Sequence, residues 1–401
     1  MASDYTSQGP VVKTRHLVPQ VSFFVFVRVI LHTSFAMLMP LLPVFSRGLG
    51  IDITLAGRAL SISLLSNLLV PFLTSLAERY GQRFGMVLGL VIFTLGGAVM
   101  LVWKSYTAFV FSTFLMTLGT FVFLPVMQSY IGENVPYNKR GLMVAFSEFG
   151  WAASFIIGVP LIGLLISHYG WLAPYPAFVL IMLVLIAVIL LSFPGTKGQH
   201  TGESPFAGIK YVISSRTGWL GILLGFFIMP GVNMIGVVYG YWLEDVFKLN
   251  VSELSASSIV MGIAFGCGSL LVALFTDKLG KRRAIIGGFA LNSLIAVAVV
   301  FITGELVPAL IWIFIFYVTM EFSVVSGLTM LTEILPEYRT SLLALSTAAM
   351  GFGGAFGSFM APYLYKLGFS ANVFACIIIN IIIIAIVLAL KPKNSRSWLD
   401  D

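Results

Sequence analysis

"TSLAERYGQRFG" (74–85) joins two long apolar runs through a short knot that holds one carboxylate, two arginines and two glycines. A related knot, "FTDKLGKRR" (275–283), stands half a chain later. Glu78-Arg79-Tyr80-Gly81-Gln82-Arg83 matches Asp277-Lys278-Leu279-Gly280-Lys281-Arg282 at an offset of 199. A tight turn between two helices needs a glycine for backbone freedom. Basic residues hold such a turn at one membrane face, and the carboxylate can pair with a base or sit on a helix N-terminus. One copy alone reads equally well as a solvated basic turn; two at matched positions point to a latch that moves. Two further features recur in the same order. "ENVPYNKR" (133–140) resembles "EILPEYR" (333–339), at an offset of 200, and "IIGVPLIG" (156–163) parallels "SFMAPYLY" (358–365), where Pro160 and Pro362 are 202 apart.

Around these knots the chain is 59% hydrophobic and only 10% charged over 401 residues. A soluble domain carries about 25% charged residues, so the solvent here is lipid. Runs long enough to span a bilayer, roughly 20 apolar residues, recur near 20–45, 57–76, 86–103, 107–131, 141–167, 171–193, 218–243, 254–275, 284–304, 308–332, 341–366 and 369–390. A membrane β-barrel would show alternating segments of about ten residues; "IIINIIIIAIVLAL" (377–390) does not. The expected fold is therefore all-α and polytopic, with about twelve transmembrane helices. The repeats divide them into an N-terminal six-helix half (1–193), a polar cytoplasmic linker (194–217) and a C-terminal six-helix half (218–401). Parallel repeats of this kind build transporters. Within the linker, "ESPFAGIKYV" has the pattern of a short amphipathic helix at the membrane surface.

The start of the chain is polar and lacks the short apolar core of a cleavable signal peptide. Its net charge of +7 is topological. With the N-terminus cytoplasmic and the spans alternating, 17 of the 23 Lys and Arg residues fall in inside segments and 5 in outside segments. That asymmetry places both termini in the cytoplasm of a multi-pass cell-membrane protein, and no nucleic-acid partner is implied. Cys267 and Cys376 fall inside helices as apolar fillers. There is no Walker loop, no metal or haem cluster and no enzyme signature, so no cofactor is expected.

The two knots resemble the loop signature of the major facilitator superfamily, Gly-x-x-x-Asp-Arg/Lys-x-Gly-Arg-Arg/Lys, which lies between the second and third helices with a weaker copy between the eighth and ninth. Thr74 stands for the leading Gly and Glu78 for the Asp in the first copy, and Ala273 for the Gly in the second. The resemblance implies a cytoplasmic gating role for Glu78, Arg79, Gly81 and Arg83, and for Asp277, Lys278, Gly280, Lys281 and Arg282. "GWAASFIIGVPLIG" (150–163) is similar to the fifth-helix pattern of the drug:proton antiporters, Gly-x-x-x-Gly-Pro-x-x-Gly. Gly158, Pro160 and Gly163 approximate it, with Val159 between the Gly and the Pro; ordinary helix packing by small residues is the other reading. The family pattern favours efflux. One departure is Leu115, four residues before Gly119, where proton-coupled members often carry an Arg.

A charge within the bilayer costs roughly 2.5–3.5 kcal/mol and usually marks function. Glu321 in the tenth span, Glu148 in the fifth and His32 in the first are the proton-coupling candidates. Arg28 and Glu148 lie at similar depth, so they are expected to pair or to share a polar network; otherwise Arg28 snorkels to the inner surface or holds an anionic substrate. His32, one turn beyond Arg28, is expected to stay neutral beside that cation. In the seventh span Pro230-Gly231 predicts a kink or local unwinding. Asn233, Tyr239 and Trp242 are cavity candidates there, as is Gln128 on the fourth span. An interfacial aromatic belt is the default for Tyr239 and Trp242, and Glu244-Asp245 reads as a solvated outer loop. The expected function is proton-coupled export of a small amphipathic compound, an antiport, by a monomer working through alternating access. Uptake of a sugar, organic anion or other metabolite is the alternative within transport, and a non-transporting receptor or scaffold is the alternative outside it.

Overall fold

The computed structural model describes residues 17–134, 149–193, 206–301 and 304–390. Among them there is no strand. Ten continuous helices are long and apolar enough to cross a membrane, and two bent pairs bring the count to twelve. The first span is one such pair, Leu17–Ala36 and Leu38–Leu49, bent by 53°. Pro40 has no N–H for the Ala36 carbonyl one turn back, and its ring crowds that carbonyl. The second span, Ile53–Leu65 and Val70–Tyr80, bends by 43° at a 3₁₀ turn over Ser66–Leu68, where Pro71 fails the Asn67 carbonyl in the same way. The third to sixth spans are Gln82–Val102, Tyr106–Asn134, Phe149–Tyr169 and Pro174–Ser192. A linker helix, Phe206–Ser214, follows. The last six spans are Arg216–Phe247, Val251–Leu279, Lys281–Phe301, Leu306–Leu331, Arg339–Tyr365 and Phe369–Ala389.

In the seventh span the expected local unwinding is corrected: it is a single unbroken helix of 32 residues through Pro230-Gly231. The Phe226 carbonyl that Pro230 leaves without a donor lies against Gly353 of the eleventh span, where any side chain would collide with it at 1.9 Å.

The knots are turns of one design. Gly81 and Gly280 have φ of 97° and 78°, values that a side chain resists. Arg83 donates to the Leu190 carbonyl in the last turn of the sixth span, and Arg282 donates to the Leu388 carbonyl in the last turn of the twelfth. Gln82 Nε2 donates to Ser129 Oγ at 3.1 Å, and Lys281 pairs with Glu333. Each knot is thus moored within its own set of six helices.

The linker helix packs against the last six spans: Tyr211 stacks on Tyr338 at 4.2 Å, and Val212 is buried with Leu335 and Leu342. The two sets of six meet along the first and seventh, second and eleventh, and fifth and eighth spans. That seam is where the candidate residues gather.

Candidate site at the seam between the two helix sets

On the first span, Arg28 and His32 are 6% and 7% exposed. The helix sets them one turn apart, and Arg28 Nε donates to His32 Nε2 at 3.2 Å. An imidazole nitrogen accepts only when it carries no proton, so this contact fits an Nε2 left bare. The ring meets Trp151 of the fifth span edge-on at 4.9 Å. Gly150 lies against the Arg28 stem, where an added Cβ would come within 3.0 Å of Cγ. Glu148, the expected partner of Arg28, lies outside the described residues, as do the side chains of Glu78 and Glu133.

From Trp151 a run of rings crosses the seam. Trp151 and Phe155 lie 5.6 and 5.1 Å from Phe265 of the eighth span, and Phe265 lies 5.4 Å from Tyr317 of the tenth. Glu321 is one turn beyond Tyr317. It is half-buried, its stem packs on Gly268, and its Oε1 accepts from Ser269 Oγ at 3.0 Å. The carboxylate therefore belongs to the contact between the eighth and tenth spans.

The fifth-helix motif packs tightly on the first span and, across the seam, on the eighth. Ser154–Gly158 is a π-turn, in which Val159 N–H reaches back five residues to the Ser154 carbonyl. Side chains at Gly158 and Gly163 would come within 1.9 Å of Thr33 Oγ1 on the first span and Ser255 Oγ on the eighth. Ser258 Oγ donates across the seam to the Phe155 carbonyl at 2.7 Å.

A cavity of about 10 Å³ lies between the sets, lined by Phe35, Met39, Leu60, Asn233, Val237 and Ser358 among others. That is room for about one water. Asn233 Nδ2 donates to the Met229 carbonyl at 3.1 Å. Tyr239 and Trp242 do not form an exposed belt. Tyr239 is fully buried and its hydroxyl donates to Ser257 Oγ at 2.9 Å, while Trp242 lies flat on Phe369 at 4.1 Å. Gln128 is half-buried on the fourth span, next to the Ser129 that receives Gln82. Arg79, Asp277 and Lys278 are exposed at their turns.

At the end read as outer, three contacts join the sets that the sequence reading did not anticipate: Ser46 with Tyr241, Arg47 with Glu244, and Arg58 Nη2 donating to Tyr363 Oη at 2.8 Å. Glu244-Asp245 is accordingly no solvated loop. Both residues lie in the last turns of the seventh helix, and Asp245 accepts from the Tyr365 hydroxyl at 2.7 Å. These pairs span up to 305 residues of sequence, so no local pattern announces them. Nearby, Asp52 caps the second span by accepting from Leu55 N–H at 2.9 Å, and that bond holds its carboxyl below the usual carboxylate range.

A family model described as Major Facilitator Superfamily matches residues 24–327 and 222–399. The chain is 26% identical over 334 residues to an uncharacterized MFS-type transporter, YbcL of Bacillus subtilis, covering 81% of this chain and 83% of that one. It is 21% identical over 378 residues to the quinolone resistance protein NorA of Staphylococcus aureus, covering 90% and 93%. The solved structure of a D-xylose–proton symporter superposes with a TM-score of 0.72 at 16% identity, covering 93% and 97%.

Proposed function

The chain belongs to the Major Facilitator Superfamily, and from that premise we propose that this membrane transporter exports a small amphipathic compound by alternating access, driven by protons. The observation that carries this reading is the set of ionisable side chains inside the spans on both sides of one seam. Arg28 and His32 stand on the first span and Glu321 on the tenth, linked by the rings of Trp151, Phe265 and Tyr317. Charges are kept within lipid depth only where they work, and rings with polar edges suit an amphipathic solute. Efflux is supported by the fifth-helix motif and by relatives such as NorA.

In this reading Glu321 loads and releases the coupling proton, with Glu148 and Arg28 sharing the polar network beside it. Residues 1–193 and 218–401 are the rocking units, and 194–217 joins them. The matched mooring of Arg83 and Arg282 supports that division. The basic turns, from Glu78 to Arg83 and from Asp277 to Arg282, face the cytoplasm with both termini and gate that side. Ser46–Tyr241, Arg47–Glu244 and Arg58–Tyr363 close the outer side. A second reading, uptake or facilitated movement of an anionic metabolite, draws on Arg28 and on Leu115 in place of the expected fourth-helix Arg.

The test is accumulation of a fluorescent lipophilic cation in cells lacking their main drug pumps. Wild type should lower accumulation, and both Glu321→Gln and a protonophore should abolish the effect. Accumulation equal to vector-only cells, with the protein in the membrane, rejects cation export and favours the second reading.

A further inference from the structure

Every carbonyl in a membrane helix needs a donor, and the Phe155 carbonyl has none in its own helix. Its α-helical donor would be Val159 N–H, but the π-turn gives that group to the Ser154 carbonyl. Its donor in the π register would be residue 160, and that residue is proline. The bond comes instead from Ser258 Oγ, 103 residues away on the eighth span. Ser258 has a single O–H, yet two carbonyls lie within reach: Phe155 at 2.7 Å across the seam and Ser255 at 2.6 Å in its own helix. The two helices are pressed together here, because side chains at Gly163 and Gly262 would collide with Ser255 Oγ at 1.9 Å and with Ile156 Cγ1 at 2.6 Å.

We propose that Ser258 is a positioning residue that sets the balance between the two arrangements of the transporter by switching the hydrogen bond its hydroxyl donates between these two carbonyls. With the fifth and eighth spans together, the hydroxyl satisfies the carbonyl orphaned by Pro160 and favours the arrangement closed at the outer end. When the spans part, the hydroxyl turns to the Ser255 carbonyl and loses nothing on its own side, while water entering the seam takes over Phe155. The π-turn and the motif residue Pro160 together create the vacancy, and Ser258 decides on which side of the cycle it is filled. The inference uses the alternating-access reading only in requiring two arrangements; it holds for export and for uptake alike.

The experiment places spin labels at two exposed outer-end positions, Lys104→Cys and Leu367→Cys, with Cys267→Ser and Cys376→Ala in the full chain in lipid nanodiscs. Pulsed dipolar spectroscopy then reads the ratio of short to long outer-end distances. Leaving a buried acceptor unpaired costs about 1–3 kcal/mol, so Ser258→Ala should shift that ratio about tenfold toward long distances. Ser258→Thr, which keeps the hydroxyl, should restore the wild-type ratio. Pro160→Ala returns an N–H to the fifth span, so Ser258→Ala on that background should shift the ratio less than twofold. An equal shift on both backgrounds overturns the proposal, as does an unchanged ratio in Ser258→Ala. Loss of flux with unchanged distances also overturns it, without touching the transport reading.

Discussion

Asp52 is a small and separable contributor. Its carboxylate caps the second span, and the bond from Leu55 N–H depresses its pKa. A depressed folded pKa means that the ion stabilises the fold above the unfolded value, and that this contribution is lost as pH falls through the folded value. Asp52→Asn keeps an acceptor of similar capping strength but no titrating group. In detergent, its melting temperature should therefore fall less than that of wild type as the buffer is taken from pH 7 to pH 3. Asp52→Ala should cost about 1 kcal/mol at neutral pH. At this scale the sequence was informative where partners are local. Arg28 and His32 sit four apart, and the helix brings them into contact, Arg28 Nε donating to His32 Nε2. It misread Glu244 as solvated, because its partner Arg47 is 197 residues away, and it was silent on Ser258, whose acceptor is open because a π-turn diverts one N–H and proline supplies none.

Helix breaks depend on what surrounds a proline. Pro40 and Pro71 bend their spans, while Pro230 sits in a helix that stays continuous against the eleventh span. Sequence alone pointed to Pro230, because the neighbouring glycine looked like a hinge; the packed neighbour is a tertiary fact. A buried asparagine cluster shows the same dependence. Asn292 on the ninth span donates to the Phe316 carbonyl and to Thr319 Oγ1, each at 2.9 Å, and accepts from Asn380 of the twelfth at 2.9 Å. Asn292→Leu removes one hydrogen bond each from the Asn380 amide, which keeps Ser293 Oγ at 3.1 Å, and from the Phe316 carbonyl, which keeps Thr319 Oγ1 at 3.0 Å, at a cost of about 1 kcal/mol. The melting temperature should drop accordingly, and adding Asn380→Leu should recover part of the loss, because an absent pair costs less than a broken one.

Across the whole molecule, the described polar contacts between the two helix sets lie at the end read as outer and along the fifth and eighth spans, whereas the basic turns bond within their own sets. The outer contacts are individually weak. Arg47 is 57% exposed, and an exposed pair contributes about 0–1 kcal/mol. Arg47→Ala alone should shift the outer-end distance ratio less than about fivefold. Arg47→Ala combined with Ser46→Ala and Arg58→Ala should shift it further, and the exchange Arg47→Glu with Glu244→Arg should return it toward wild type. The number of spans, their order and the duplicated turns were legible because lipid imposes length and polarity on every segment. The side-chain contacts that join the sets at one end were not, since their partners are distant along the chain.

The two arginine moorings also carry a schedule. Arg83 must wait for a carbonyl 107 residues downstream, and Arg282 for one 106 residues downstream. A ribosome adding about 5–20 residues per second imposes nearly the same delay, about 5–20 s, on each bundle before its third helix can be tied to its sixth. The duplicated chain thus gives its two bundles matching assembly clocks, and each ring of helices stays open during synthesis for as long as its counterpart does.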